Sequence, residues 1–241
     1  MDTLKQQYLF IPAQVKTVYL AHLLTPFAMT EEEEDKRNTI KHKRQLEALL
    51  NRNVLQKGPG RSVIVFVATC RMAQQISETL SELNVSNVSL HSVMSQARRL
   101  AALGKFKSGR TRVLICTDVA SRGLDIPSVD LVINFDLPLK STDYIHRVGR
   151  TARKGEKGES ISFVTQYDIE VLRKIETDID RIMEEYPLEE AVVLKRLNAV
   201  TVATRSSKLK MEEYGFNEKA QRARNRKRDA RAKRDAKKQA E

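Results

Sequence analysis

An α/β fold, a three-layer sandwich around a mostly parallel sheet, is what this sequence predicts, and three observations carry it. Short runs that are apolar almost throughout occur at 63–68 (VIVFVA), 112–116 (RVLIC) and 131–134 (LVIN), the mark of strands covered on both faces. Stretches with apolar residues at helical spacing separate them. Strand and helix alternate at lengths that suit right-handed crossovers, which place helices on both faces of the sheet.

Taken in order, residues 6–11 (QQYLFI) read as a short strand ending at Pro12, and 14–24 place Val15, Val18, Leu20 and Leu23 at near-helical spacing. Residues 29–60 read as an insert, part loop and part helix, with Thr30 as an N-cap beside an acidic run and the turn Gly58-Pro59-Gly60 at its end. After the strand at 63–68, Thr69 is an N-cap for a helix with the stripe Met72, Ala73, Ile76, Leu80 and Leu83. A short strand at 88–90 precedes a helix opened by Ser95, which carries Leu100, Leu103 and Phe106 and stops near Gly109. Beyond the strand at 131–134, Ser141 or Thr142 caps a short helix through Val148, and 160–164 (SISFV) is a further strand. Ile169, Leu172, Ile175, Ile179 and Ile182 then continue a helix toward Glu185, and a second helical stretch runs from about Leu188 to Tyr214. The division that follows is 1–185 as the α/β domain, 186–216 as a helical extension and 217–241 as a basic tail, disordered or helical only when bound.

Composition bounds the partners. The net charge of +12 favours a polyanion, and nucleic acid before membrane. The tail holds 11 Lys/Arg against 4 Asp/Glu, a net of +7, so a basic solubilising tail accounts for much of that balance as well. Apolar runs fall well short of the roughly 18 residues that a membrane span needs. Cys70 and Cys116 sit inside apolar runs and read as buried reduced thiols of an intracellular protein, and no Cys/His cluster has metal-ligand spacing.

In open parallel sheets, ligands sit beyond the carboxyl ends of the strands. The segments directly after strands are therefore the informative ones: VIVFVATCR (63–71), LHSVMSQARR (90–99), TDVASRGLDIP (117–127) and HRVGRTARKG (146–155). Arg147, Arg150 and Arg153 recur every three residues beside a glycine-rich turn. Arginine suits phosphate charge because its planar fork pairs two oxygens and stays charged. Taken alone, the three could equally make local surface salt bridges. Asp125 follows Gly123-Leu124, where backbone can approach a ligand and a carboxylate can accept from a hydroxyl; it could also be a turn former before Pro127. Thr69 at a helix start, Arg71 one turn in, Thr117 after a strand, and Gln96 with Arg99 on one helix face suit sugar and phosphate contacts that do not read bases.

Together these four segments resemble the C-terminal-lobe motifs IV, IVa, V and VI of DEAD-box ATP-dependent RNA helicases, with the Q-x-x-R element at Gln96 and Arg99. The resemblance covers about residues 6–185 and implies a RecA-like fold. It implies that Arg150 and Arg153 are fingers on the γ-phosphate of ATP, that His146 and Arg147 couple nucleotide to RNA, and that Gly123 and Asp125 meet the ribose. It also implies an RNA track of Thr69, Arg71, Gln96, Arg99, Thr117 and Arg122. Asp118 is expected to hold its loop by hydrogen bonds. Two departures stand out: Ser92 and Ala152 occupy positions where glycine is common. A histidine at the head of motif VI places the chain with the DEAD-box group and not its DEAH relatives.

The phosphate-cradling G-x-x-x-x-G-K-S/T sequence and the Asp-Glu-Ala-Asp sequence are both absent. In the family they lie in the N-terminal lobe, which also holds Mg²⁺. The chain is thus expected to be inactive on ATP by itself and to need an N-terminal RecA-like lobe as partner, with single-stranded RNA backbone across both lobes and a protein activator as a further partner. A non-catalytic RNA-binding scaffold and a DNA-directed helicase lobe are the alternatives. Cys70-Arg71, LHSVM and VTQYDIE (164–170) further resemble a nucleolar subgroup acting on pre-rRNA in small-subunit ribosome biogenesis, which implies a nuclear, nucleolar location.

Overall fold

The strands are β1 (Leu4–Phe10), β2 (Val63–Phe66), β3 (Val88–Leu90), β4 (Val113–Cys116), β5 (Leu131–Asn134), β6 (Gly158–Val164) and β7 (Glu184–Glu185). In the computed structural model they form one sheet in the order β3-β4-β2-β5-β6-β1-β7, and every pairing is parallel. The structure describes residues 3–27, 61–121, 124–223, 225–226 and 228–229. The expected insert at 29–60, with Thr30, lies outside the described residues, as do Arg122 and Gly123.

Three central strands, β2, β4 and β5, are buried at every position, which is why they read as unbroken apolar runs. Successive side chains point to opposite faces, so each strand feeds two cores. Val63, Val65, Ile115 and Ile133 pack under α1 (Lys16–Leu24) and α2 (Cys70–Glu82). Ile64, Phe66, Leu114 and Val132 pack with Leu103 and Phe106 of α3 (Gln96–Lys107) and with α4 (Asp118–Ser121). A third cluster joins α5 (Ser141–Val148) to α6 (Ile169–Asp178) through Tyr144, Val148, Leu172 and Ile175.

Two caps are as expected: Thr69 accepts from Met72 N at 3.1 Å and Ser95 from Arg98 N at 3.4 Å. Several expectations need correction. Lys140, not Ser141 or Thr142, holds the N-cap of α5 with no side-chain cap bond. Ser141 Oγ instead donates to Asp178 Oδ2 at 2.5 Å and ties α5 to α6. Leu100 leaves the apolar stripe and is 56% exposed, because Ala102, Leu103 and Phe106 already fill the contact of α3 with the sheet. The helix predicted toward Glu185 ends at Asp178, since Asp180 turns left-handed (φ 51°) and closes it. Ile182 is consequently 86% exposed, and Glu184–Glu185 pairs with β1 as an edge strand. Cys116 is buried, but Cys70 is only half-buried at the start of α2.

The extension consists of α7 (Glu190–Leu194) and α8 (Leu197–Glu213). Val193, Val200 and Tyr186 belong to the same core cluster as β2 and β5, so these helices are built onto the sheet domain. Of the tail, expected to be disordered or helical only when bound, residues 217–223 are helical. Among the described residues no helix is long and apolar enough to cross a membrane.

Candidate functional site

The carboxyl edge divides into two halves. On one, β4 ends at Cys116 and Thr117 O accepts from Ala120 N and Ser121 N at 3.0 and 3.1 Å, opening α4. Next to it β5 ends at Asn134, and α5 returns across the edge. A cavity of about 200 Å³ lies between them, lined by Phe66, Asp118, Ser121, Asp143, His146, Arg147 and Arg150.

Arg147 is the pillar of this half. It is 3% exposed, and four of its N–H groups are taken: Nε and Nη2 by the Asp118 carboxylate at 2.7 and 2.8 Å, Nη1 by Asn134 Oδ1 at 3.2 Å and Asp136 O at 2.6 Å. Its guanidinium also lies 5.1 Å from the Phe66 ring centroid. This geometry makes Arg147 a positioning residue. Asp118, expected to hold its loop through local hydrogen bonds, instead gives its carboxylate to Arg147, 29 residues on.

Arg150, one turn on, is different. It lines the cavity and is half-buried, and burial first and Arg153 second push its pKa below the usual arginine value. Two cations sharing a half-dry edge is an arrangement that an anion relieves. Arg153 donates from Nε to Gly149 O at 2.8 Å, a carbonyl at the end of α5, and acts electrostatically on both Arg150 and Asp125. Thus Arg150, Arg153, Asp118, Ser121 and Asp125 share one edge. His146 is exposed at the cavity rim. Asp125 is exposed and pairs with Lys107 Nζ at 2.6 Å, and that hydrogen bond and charge hold its carboxyl below the usual range. Ala152 sits in the left-handed region (φ 53°), which explains why glycine would suit this position.

On the other half, the starts of α2, α3 and α4 gather beyond β2, β3 and β4. Thr69 and Arg71 are exposed at the start of α2. Gln96 Oε1 accepts from Arg99 Nη1 at 3.2 Å, and Arg99 Nη2 reaches Ala120 O at 3.2 Å, bridging α3 to α4. Thr117 Oγ1 and Arg99 Nε are buried with no hydrogen-bond partner among the described residues. Unsatisfied polar groups at an edge point to a ligand. Ser92 takes up its missing-glycine position by meeting Cys70 Sγ at 3.3 Å.

Sequence reasoning missed Asn134, Asp136, Ser121 and Asp143. Asp136 accepts from Ala68 N at 2.9 Å and pairs with Lys16 at 2.7 Å, fixing the loop before Thr69. The one signal available was the polar end of an otherwise apolar strand, LVIN followed by Phe135-Asp136.

A parallel lobe with an arginine- and aspartate-lined cavity on half of its carboxyl edge and a row of helix starts on the other half has the architecture of a helicase C-terminal domain. The family model described as the helicase conserved C-terminal domain matches residues 42–155. Over 214 residues the chain is 41% identical to the ATP-dependent rRNA helicase rrp3 of Aspergillus fumigatus, covering 89% of this chain and 39% of that protein. The structure of the E. coli DEAD-box protein SrmB bound to RraA matches with TM-score 0.61 and 31% identity, covering 78% of this chain and 93% of that one. That of S. cerevisiae Dbp5 bound to RNA and ADP BeF3 matches with TM-score 0.60 and 28% identity, covering 85% of this chain and 46% of that one. The chain belongs to the DEAD-box family of ATP-dependent RNA helicases, with the RecA-like fold of their C-terminal domain. It spans about two fifths of the length of the curated relatives it matches.

Proposed function

We propose that this chain is the C-terminal lobe of an enzyme that uses ATP to unwind RNA or remodel RNA–protein particles, acting on pre-rRNA in the nucleolus during small-subunit assembly. The observation that carries the nucleotide half is Arg150, a half-buried arginine lining the edge cavity with a second cation, Arg153, close enough to lower its pKa. When an N-terminal lobe closes over ATP, Arg150 and Arg153 bind the oxygens of the γ-phosphate where charge shifts in the transition state. Arg153 would leave Gly149 O to do so. Asp125 would accept from a ribose hydroxyl in exchange for Lys107, an exposed ion pair of little worth against water. Closure of the lobes excludes bulk water. In this reading Mg²⁺ belongs to the N-terminal lobe, where the family carries the Asp-Glu-Ala-Asp sequence that this sequence lacks.

The RNA half runs over Thr69, Arg71, Gln96, Arg99, Thr117 and Arg122. The buried, unpartnered hydroxyl of Thr117 supports this reading, as do the helix starts whose N–H groups favour phosphate. The rRNA helicase similarity and the basic tail support the ribosomal setting. His146, at the cavity rim, is placed to sense closure. A protein activator is a further partner of this reading.

The test restores an N-terminal lobe. In a two-lobed protein, Arg150→Ala should lower RNA-stimulated ATP turnover on the order of a thousandfold, while the 241-residue chain alone should turn over none. Unchanged turnover in the variant favours the scaffold reading, and rapid turnover by the lone chain removes the division of labour.

A further inference from the structure

α8 lies along α2, and the groups that meet between them fix its direction. Ser206 and Lys210 meet Glu82 at the C-terminal end of α2, Ser207 Oγ bonds Thr79 Oγ1 at 2.9 Å, and the Tyr214 hydroxyl meets Gln74 and Glu78 nearer the start. The two helices are therefore antiparallel, and α8 runs toward the carboxyl edge of the sheet. Its end is tightly specified. Gly215 (φ 63°) turns the chain, and Lys219 Nζ donates to Tyr214 O at 2.7 Å. Phe216 is buried and meets the ring of His91 edge-on at 5.7 Å, while His91 Nε2 lies 2.9 Å from Gln74 Oε1. His91 directly follows β3, and its neighbour Ser92 touches Cys70 beside Thr69. The helical segment after Phe216 thus leaves the domain at the side where α2 and α3 begin. Residues 217–229, helical at the described positions, carry six Lys/Arg against two Asp/Glu in sequence.

We propose that the basic helix beginning at Phe216 is clasped by His91 and Gln74 so as to prolong the RNA track, with its cations on the phosphates of the strand leaving Thr69 and Gln96. The inference rests on the RNA reading of that edge. Clasping matters because a tethered cationic segment adds affinity only if its exit point lets both sites be reached at once.

The experiment measures binding of a labelled single-stranded RNA of about 20 nucleotides to the full chain by fluorescence anisotropy between roughly 50 and 200 mM salt. Arg222→Glu with Arg226→Glu, on one exposed helix face, should weaken binding at least about tenfold at the low-salt end. It should also reduce the slope of log affinity against log salt by about 0.7 for each phosphate no longer neutralised. Phe216→Ala keeps every charge and should weaken the same RNA about threefold while leaving an RNA of about six nucleotides unchanged. Thr117→Val reports on the track by itself. Unchanged affinity and slope in the arginine pair, with Thr117→Val weakened, overturns the inference and leaves the track standing. Weakened binding in the arginine pair with no effect at Thr117 removes the track and with it a prolongation. Polyglutamate binding as tightly as RNA overturns RNA as the partner. Circular dichroism of each variant checks that it is folded; the arginine pair is exposed and alters charge alone.

Discussion

Replacing Arg147 by methionine separates holding from catalysis. The substitution keeps most of the volume and removes the charge and all four hydrogen bonds. Breaking a buried ion pair by deleting one partner costs about 3–5 kcal/mol. The Asp118 side chain keeps 26% exposure, so water can recover part of its solvation and the lower end applies. Asn134 Oδ1 has no such recourse, being fully buried, and an orphaned buried acceptor costs about 1–3 kcal/mol. The two losses share one side chain and do not add. A net destabilisation of about 3–4 kcal/mol is expected, which for a domain of this length lowers Tm by roughly 10 °C. Urea unfolding followed by circular dichroism at about pH 7 measures it, and the double variant Arg147→Met with Asp118→Leu should recover at least about 1 kcal/mol, because no charge is then left unpaired. A single-variant loss below about 1 kcal/mol, or strict additivity in the cycle, would show that the pair does not hold α5, and Arg147 would then count among the groups free to meet a ligand.

Three further outcomes are expected. Ala152→Gly should stabilise by about 0.5–1 kcal/mol in thermal unfolding, since a left-handed alanine costs about 1–2 kcal/mol and glycine returns part of that as unfolded-state entropy; a lower Tm would contradict the strain. His91, pushed down from 6.5 to about 4 by burial among Gln74 and Phe216, binds its proton more readily unfolded than folded. Its contribution is therefore complete above about pH 6.5 and is lost as pH falls toward 4, by roughly 3 kcal/mol at most; a His91→Gln variant should flatten that stretch of the stability–pH curve, and an unchanged slope would refute it. Thr117→Val removes a buried hydroxyl that has no partner, so stability should hold or rise by a few tenths of a kcal/mol while RNA affinity falls severalfold; a parallel loss of stability would mean that the hydroxyl is structural.

The sheet was legible because its signal is local. Runs such as VIVF and LVIN are apolar at nearly every position for the same reason that they are central strands, and Thr69 and Ser95 announce their helices through chemistry confined to one turn. What the sequence hid depends on distant partners. Nothing near Ser141 shows that its hydroxyl serves Asp178 rather than its own helix, and nothing in RRL at 98–100 shows that Leu100 faces water. The three arginines at 147, 150 and 153 look equivalent as a repeat. They diverge only because Asp118, 29 residues earlier, claims the first of them.

That divergence links the fold to the chemistry. α5 is a short helix of eight residues with no side-chain cap at its start, so propensity alone would leave it marginal. Beside the Ser141–Asp178 bond, two further tertiary anchors orient it: Tyr144, fully buried with its hydroxyl on Gln6 of β1 at 2.8 Å, and Arg147 on Asp118, Asn134 and the Asp136 carbonyl. Asp136 in turn holds the backbone at Ala68, one residue before the cap of α2. Arg150 lies two residues past the end of α5, in a turn whose backbone N–H donates to Arg147 O at 3.0 Å, so its position follows from where Arg147 is pinned. The same buried guanidinium thus fixes the loop that presents the candidate finger and leans on the loop that presents Thr69. On the proposed reading one half of the edge grips phosphate and the other RNA, and both halves are then referenced to one rigid point, a desolvated arginine with four bonds linking α5 to α4 and to the end of β5, where an exposed salt bridge would not hold them.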